Sequence, residues 1–240
     1  MAHSRFAFGF LWILLAGSAS DAADKGPTKH LAEAQELVKR LDLKHTSYAH
    51  GEPHIVWTGT CESHADCSGF IDLLLTHSYG YDPDAYKKWF DSHRPSARRY
   101  HDAIVEQNGF SEIKRISDVE PGDLLAAKYL TREDNTGHMM LVARAPQRMK
   151  PRRPAIEGTE QWEVTVIDSS KSGHGASDTR HKKGMAGKDH DGLGEGVLRV
   201  YADRQGQVAG FAWSTLDSSE FKSPRDEHLV IGRLKAGFKP

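Results

Sequence analysis

The chain has 240 residues, with 32 Lys and Arg against 33 Asp and Glu, a formal net charge of −1 and 38% hydrophobic content. That balance excludes a nucleic-acid binder held by bulk charge and a strongly polybasic membrane binder. The length and apolar content fit one globular domain with a real core.

The first 22 residues read as an export signal. Arg5 supplies a positive start and residues 6–16 form an apolar run too short to span a bilayer as a helix. Small residues follow, with cleavage expected after Ala22 or Ser20. Apart from this run no long apolar stretch occurs, so no stable membrane insertion is expected after cleavage, and the mature chain, residues 23–240, is expected to be secreted or periplasmic.

Leu31, Ala34, Leu37, Val38 and Leu41 mark an amphipathic helix over 28–44, on which His30 is expected to be solvated. Residues 46–51 are turn-like and carry Tyr48, which by position alone reads as a half-buried aromatic. Residues 52–65 look irregular. Then Asp66-Cys67-Ser68-Gly69-Phe70 opens a helix that Gly80 should end. Asp66 suits the N-cap, and Phe70, Leu73 and Leu74 give the helix an apolar face. A cysteine in a first helical turn is open to two readings. It is a small core residue, or a nucleophile whose thiolate the helix terminus favours. Only one other cysteine exists, Cys61, and a Cys61–Cys67 bridge would close a very short loop and block the nucleophile. Cys67 is therefore read as a thiol.

Short helices are expected over 83–90 and 95–108, with His101 exposed on the second. After Gly109 the period changes to that of strands. Candidates are 124–130, 138–145, 162–168, 197–201, 208–213 and 228–234, the fourth and fifth joined as a hairpin. Residues 169–195, rich in glycine and histidine, read as one long loop. Helices first and about five or six antiparallel strands afterwards indicate the α+β class.

Two residues give Cys67 partners. His138 opens a strand directly after Gly137, where a base can face a cleft. Asp168 ends the next strong strand on an otherwise apolar face, a costly place for a carboxylate unless it is paired. A thiolate needs a base, and the base needs a group to fix its tautomer. His174 is the rival to Asp168 for that orienting role. His64, Asp66 and Ser68 stand beside Cys67 in sequence and are the candidate substrate contacts. His174, His181 and His190 lie among Asp178, Asp189 and Asp191 without a tight ligand spacing, so no metal and no cofactor is expected.

Asp66-Cys67-Ser68-Gly69-Phe70, Pro121-Gly122-Asp123-Leu124-Leu125 and Gly137-His138-Met139-Met140-Leu141 together resemble, in order, the motifs of the NlpC/P60 cysteine peptidases. The likeness covers roughly residues 46–168. It implies a papain-like α+β fold, Cys67 as nucleophile, His138 as base and a polar third residue on the following strand. It also implies a substrate-binding role for Tyr48, and hydrolysis of peptide bonds in bacterial cell-wall stem peptides. The chain departs from the pattern in offering Asp168 where that family often has histidine, and in the inserted residues 146–161. The alternatives are another Cys-His-Asp amide hydrolase, such as an amidase or a transglutaminase-like enzyme, and a silent binding module of the same fold. The sequence leaves the oligomeric state open.

Overall fold

The computed structural model describes residues 28–132, 135–181 and 190–240. The expected export signal lies outside them. Four α-helices precede most of the sheet: α1 (Lys29–Arg40), α2 (Cys67–Tyr79), α3 (Pro83–Phe90) and α4 (Ala97–Val105). Three short strands, β1 (Thr46–Ser47), β2 (His54–Val56) and β3 (Glu62–His64), form a small separate sheet in the stretch that reads as irregular. They are too short for a periodic signal to register.

Among the described residues the main sheet has nine strands rather than five or six. The six long ones are β5 (Leu124–Tyr129), β6 (Gly137–Val142), β8 (Glu160–Ser170), β9 (Gly192–Ala202), β10 (Val208–Ala212) and β12 (Glu227–Leu234). The extra three are β4 (Phe110–Glu112), β7 (Gln147–Arg148) and β11 (Phe221–Lys222), each of two or three residues. The order is β11-β10-β9-β8-β6-β5-β12-β4, antiparallel throughout, with β7 paired to β8. The fold is therefore α+β.

Both faces of the sheet are buried. Leu124, Ala126, Met139, Leu141 and Ile167 meet the helices through Phe70, Ile71, Leu74 and Ile104. The alternate residues Leu125, Met140, Val142, Val164, Val166, Leu198 and Val200 meet Phe211 and Ile231 on the other side. Contact between β10 and β12 curls the sheet around this second cluster. The period-2 alternation places His138 with Met140 and Val142, and Asp168 with Val164 and Val166, so both lie on the concave face.

α2 is not a simple amphipathic helix. Phe70, Ile71, Leu74 and Leu75 are all fully buried while Leu73 is half-buried. The cause is its position between α1 and the sheet, which covers more than one stripe. Two histidines expected at the surface are inside. His30 bonds the Tyr79 hydroxyl at 2.6 Å and the Gly122 carbonyl at 2.7 Å, because the first turn of α1 lies against the turn ahead of β5. His101 bonds the His228 ring at 2.9 Å, where α4 crosses β12. The long connector is also shorter than 169–195. β8 continues through Ser170 and β9 begins at Gly192, because Ser169 and Ser170 pair with Leu193 and Gly192.

Candidate active site

α2 begins at Cys67 because Asp66 caps it. Asp66 Oδ1 accepts from the Gly69 N–H at 2.7 Å and from the Ser68 hydroxyl at 3.2 Å. Its Oδ2 accepts from Arg94 Nη2 at 2.8 Å and stands 3.4 Å from His50 Nδ1. Asp66 and Ser68 thus hold the helix start and each other. His64 Nδ1 pairs with Ser47 Oγ at 2.8 Å, because β3 lies alongside β1. Cys67 is 5% exposed, and neither it nor Cys61 is in a disulfide. The Cys61 thiol points at the Trp57 and Gly59 carbonyls.

His138 enters β6 behind Gly137, whose φ of 148° and lack of a side chain allow a close approach. A Cβ there would sit 2.0 Å from the Ala127 carbonyl oxygen across the ladder. His138 Nε2 bonds Asp168 Oδ2 at 2.6 Å. Cys67 is the ring's other side-chain partner. Burial pushes the imidazole pKa down, but the Cys67 charge, the Asp168 hydrogen bond and the Asp168 charge outweigh it and raise it to about 10. The surroundings favour the protonated imidazole.

Asp168 is fully buried at the end of β8. Burial alone would raise its pKa, and the Arg180 guanidinium, then His174 and His138, hold it well below the ordinary carboxylate range. Arg180 Nη2 donates to Oδ1 at 2.9 Å. The choice between Asp168 and His174 as the group on His138 falls to Asp168. His174 lies behind it: Nε2 is 3.1 Å from Asp168 Oδ1, at ion-pair distance but off the line of a hydrogen bond, and Nδ1 faces the Trp213 carbonyl at 2.7 Å.

The cleft that His138 lines has a volume of about 450 Å³. Tyr48, Tyr129, His138, Lys171 and Trp213 are among its lining. Tyr48 lines the cleft beside His138, and burial followed by the Cys67 charge pushes its phenol pKa up. Trp213 is a residue that sequence reasoning missed. Its ring packs edge-on to His138 at 4.9 Å and tilted against His174 at 4.3 Å. Lys171 stands 5.8 Å from the centre of the Tyr48 ring.

Arg180 and Asp178 were also missed as part of the site. The signal was present in the alternation Gly192-Leu193-Gly194-Glu195-Gly196 at the start of β9. Gly194 and Gly196 pair with Asp168 and Val166, so their faces look toward the site. A Cβ on Gly194 would lie 2.6 Å from Arg180 Nε, and one on Gly196 would lie 2.1 Å from Asp178 Oδ2. The glycines are the floor on which the buried Arg180 and Asp178 rest. Among the described residues no three His, Cys, Asp or Glu side chains converge on a point that would hold a metal ion.

An uncharacterized protein of Acanthamoeba polyphaga mimivirus is 33% identical to this chain over 221 residues, covering 84% of the chain and 96% of the viral protein. The chain belongs to the same family as that viral protein. No family model matches it, and no solved structure matches it. Membership in this family carries no assigned activity, so the chemistry of the site rests on its own geometry. Among the described residues no helix is long and apolar enough to cross a membrane.

Proposed function

We propose that this protein is a cysteine peptidase of the NlpC/P60 type, with a papain-like arrangement of helix-borne nucleophile and strand-borne base. We propose further that it is exported and hydrolyses amide bonds in bacterial cell-wall stem peptides. The observation that carries the reading is that His138, which lines the cleft, has the Asp168 carboxylate at 2.6 Å on one side and the buried Cys67 as its other side-chain partner. The class of substrate rests on the motif likeness around Cys67, Asp123 and His138.

In this reading Cys67 Sγ attacks the scissile carbonyl carbon and forms the acyl-enzyme. The Cys67 backbone N–H, at a helix start, is the candidate donor to the developing oxyanion. The raised His138 pKa has a specific consequence. Its largest upward contribution is the Cys67 charge. Acylation removes that charge, so the imidazolium becomes a better acid when the leaving amine needs a proton. The neutral ring then takes a proton from water, which attacks the thioester and returns Cys67. Asp168 keeps the ring oriented through both steps.

The test is digestion of purified muropeptides, with products read by mass spectrometry. Cleavage within the stem peptide, abolished in Cys67→Ala, is expected. Release of intact stem peptides from the sugar would replace the peptidase reading with an amidase. No product in either place, together with a Cys67 inert to iodoacetamide at neutral pH, would refute the hydrolase reading.

A further inference from the structure

Arg180 belongs to neither strand of the β8–β9 hairpin but to the connector between them, and it is fully buried. Its guanidinium uses every donor. Nε and Nη2 grip the two oxygens of Asp178 at 2.8 and 2.7 Å. Nη2 also donates to Asp168 Oδ1 at 2.9 Å. Nη1 donates to Ser170 Oγ, to the Gly192 carbonyl at 3.1 Å and to the Asp168 carbonyl at 3.4 Å. Asp178 takes only the Nε edge of the guanidinium. Here the remaining edge is turned to the one carboxylate that holds His138.

We propose that Arg180 is a positioning residue of the Cys67–His138–Asp168 site, fixing the orientation and the negative charge of Asp168 from behind and thereby holding His138 in place beside Cys67. The inference rests on the cysteine-hydrolase reading above. A carboxyl with no water around it favours its neutral form. A proton on Oδ2 would turn Asp168 from acceptor to donor toward His138 Nε2. The ring would then lose the partner that stabilises its positive charge. The titratable and charged groups that act on Asp168 are His138 from β6, His174 and Arg180 from the connector, and Tyr48 and Tyr129 around the cleft. Among them Arg180 is the one whose charge is permanent at every accessible pH. Its geometry also sets direction: while Nε and Nη2 fork onto Asp178, Nη2 reaches the Asp168 carboxylate and Nη1 the Asp168 carbonyl, a spread that a lysine cannot reproduce.

The geometry around Arg180 is dedicated to it. Gly192, Gly194 and Gly196 remove three successive side chains from the concave face of β9, and Arg180 with Asp178 fills the space above the last two. The His174 N–H, bonded to Asp178 Oδ2 at 2.7 Å, joins the connector to the same cluster.

The test is the pH dependence of Cys67 alkylation by iodoacetamide between pH 4 and 9, in a Cys61→Ser background so that one thiol reports. The unaltered site should alkylate well below the ordinary thiol range. In Arg180→Met the acid limb should move up by about one pH unit, slowing alkylation at pH 5 about tenfold. Arg180→Lys, which keeps the charge and loses the fork, should hold the limb near its original place. A folded Arg180→Met with an unmoved limb overturns the inference, as does Arg180→Lys shifted as far as Arg180→Met. If Arg180→Met does not fold, Arg180→Met/Asp178→Asn removes the abandoned Asp178 charge and is read by the same criterion. A background protein without low-pH reactivity overturns the hydrolase reading itself. A low limb indifferent to residue 180 overturns only the role of Arg180.

Discussion

Gly196→Ala gives a prediction whose sign is decided by the site. Gly196 lies inside β9, and its φ is not in the left-handed region. On backbone grounds alone an alanine there should stabilise the strand by roughly 0.5–1 kcal/mol. The packing says the opposite. The new Cβ would stand 2.1 Å from Asp178 Oδ2 and 2.8 Å from His174 Cβ. An ordinary carbon–oxygen contact is about 3.3 Å, so Oδ2 must retreat by more than about 1 Å. That oxygen holds Arg180 Nη2 and the His174 N–H, both at 2.7 Å, and neither bond survives such a shift. Breaking a buried ion pair outright costs about 3–5 kcal/mol. Arg180 keeps Asp168 and Asp178 Oδ1, so the lower end, about 3 kcal/mol, is expected. For a chain of this size that is a fall in Tm of roughly 6–12 °C. Urea and thermal unfolding followed by tryptophan fluorescence measure it. Gly51→Ala, whose Cβ would meet nothing within 4 Å, is the control. A Gly196→Ala protein as stable as the original, or more so, would refute the account of the glycine stripe.

Asp168→Asn should slow turnover by about 10²–10⁴-fold while leaving some activity, because it impairs the base without removing the nucleophile; steady-state kinetics against Cys67→Ala measures the gap. The raised His138 pKa contributes stability that is fully present below the unfolded value near 6.5 and is lost as pH rises through about 10. The urea midpoint should therefore fall between pH 7 and 10.5, and fall less in Asp168→Asn. Asp72, fully inside α2 and bonded by the Tyr100 hydroxyl at 2.7 Å, has its pKa raised well above the usual carboxylate value, chiefly by burial. An acid whose folded pKa is raised costs stability as pH climbs past its unfolded pKa, so Asp72→Asn should stabilise the protein at pH 8 and lose that advantage near pH 4, as read by urea unfolding at both.

The long elements were legible because each carries a period. The alternation over 138–145 and 162–168 marked the two strands that carry His138 and Asp168, and the structure brings the two side chains to 2.6 Å. Asp66 and Gly80 bounded α2 through capping chemistry alone. What failed to register depends on partners distant in sequence. His30 and His101 look solvated on their own helices and are buried by β-elements far along the chain. The extra strands β4, β7 and β11 exist only as extensions of longer neighbours. Asp66 reads as a substrate contact from its place beside Cys67, but Arg94 and the helix start claim its oxygens. Arg180 sits in a stretch whose composition resembles a solvated loop, and only the bare floor left by alternating glycines betrays that a large cation is folded inside.

The grip of Arg94 on Asp66 has a consequence for how the protein could be divided. Arg94 Nη1 also donates to the Gly51 carbonyl at 2.6 Å, so one side chain ties together the approach to β2, the cap of α2 and the approach to α4. The partners are separated along the chain by 28 and 43 residues. A fragment ending before Arg94 can contain the whole of α2 and still lack the cation that holds its cap in register with the rest. Split versions cut between α3 and α4 should therefore be silent as separate halves and regain an alkylatable Cys67 only on reassembly, which makes that junction a natural place for a complementation reporter.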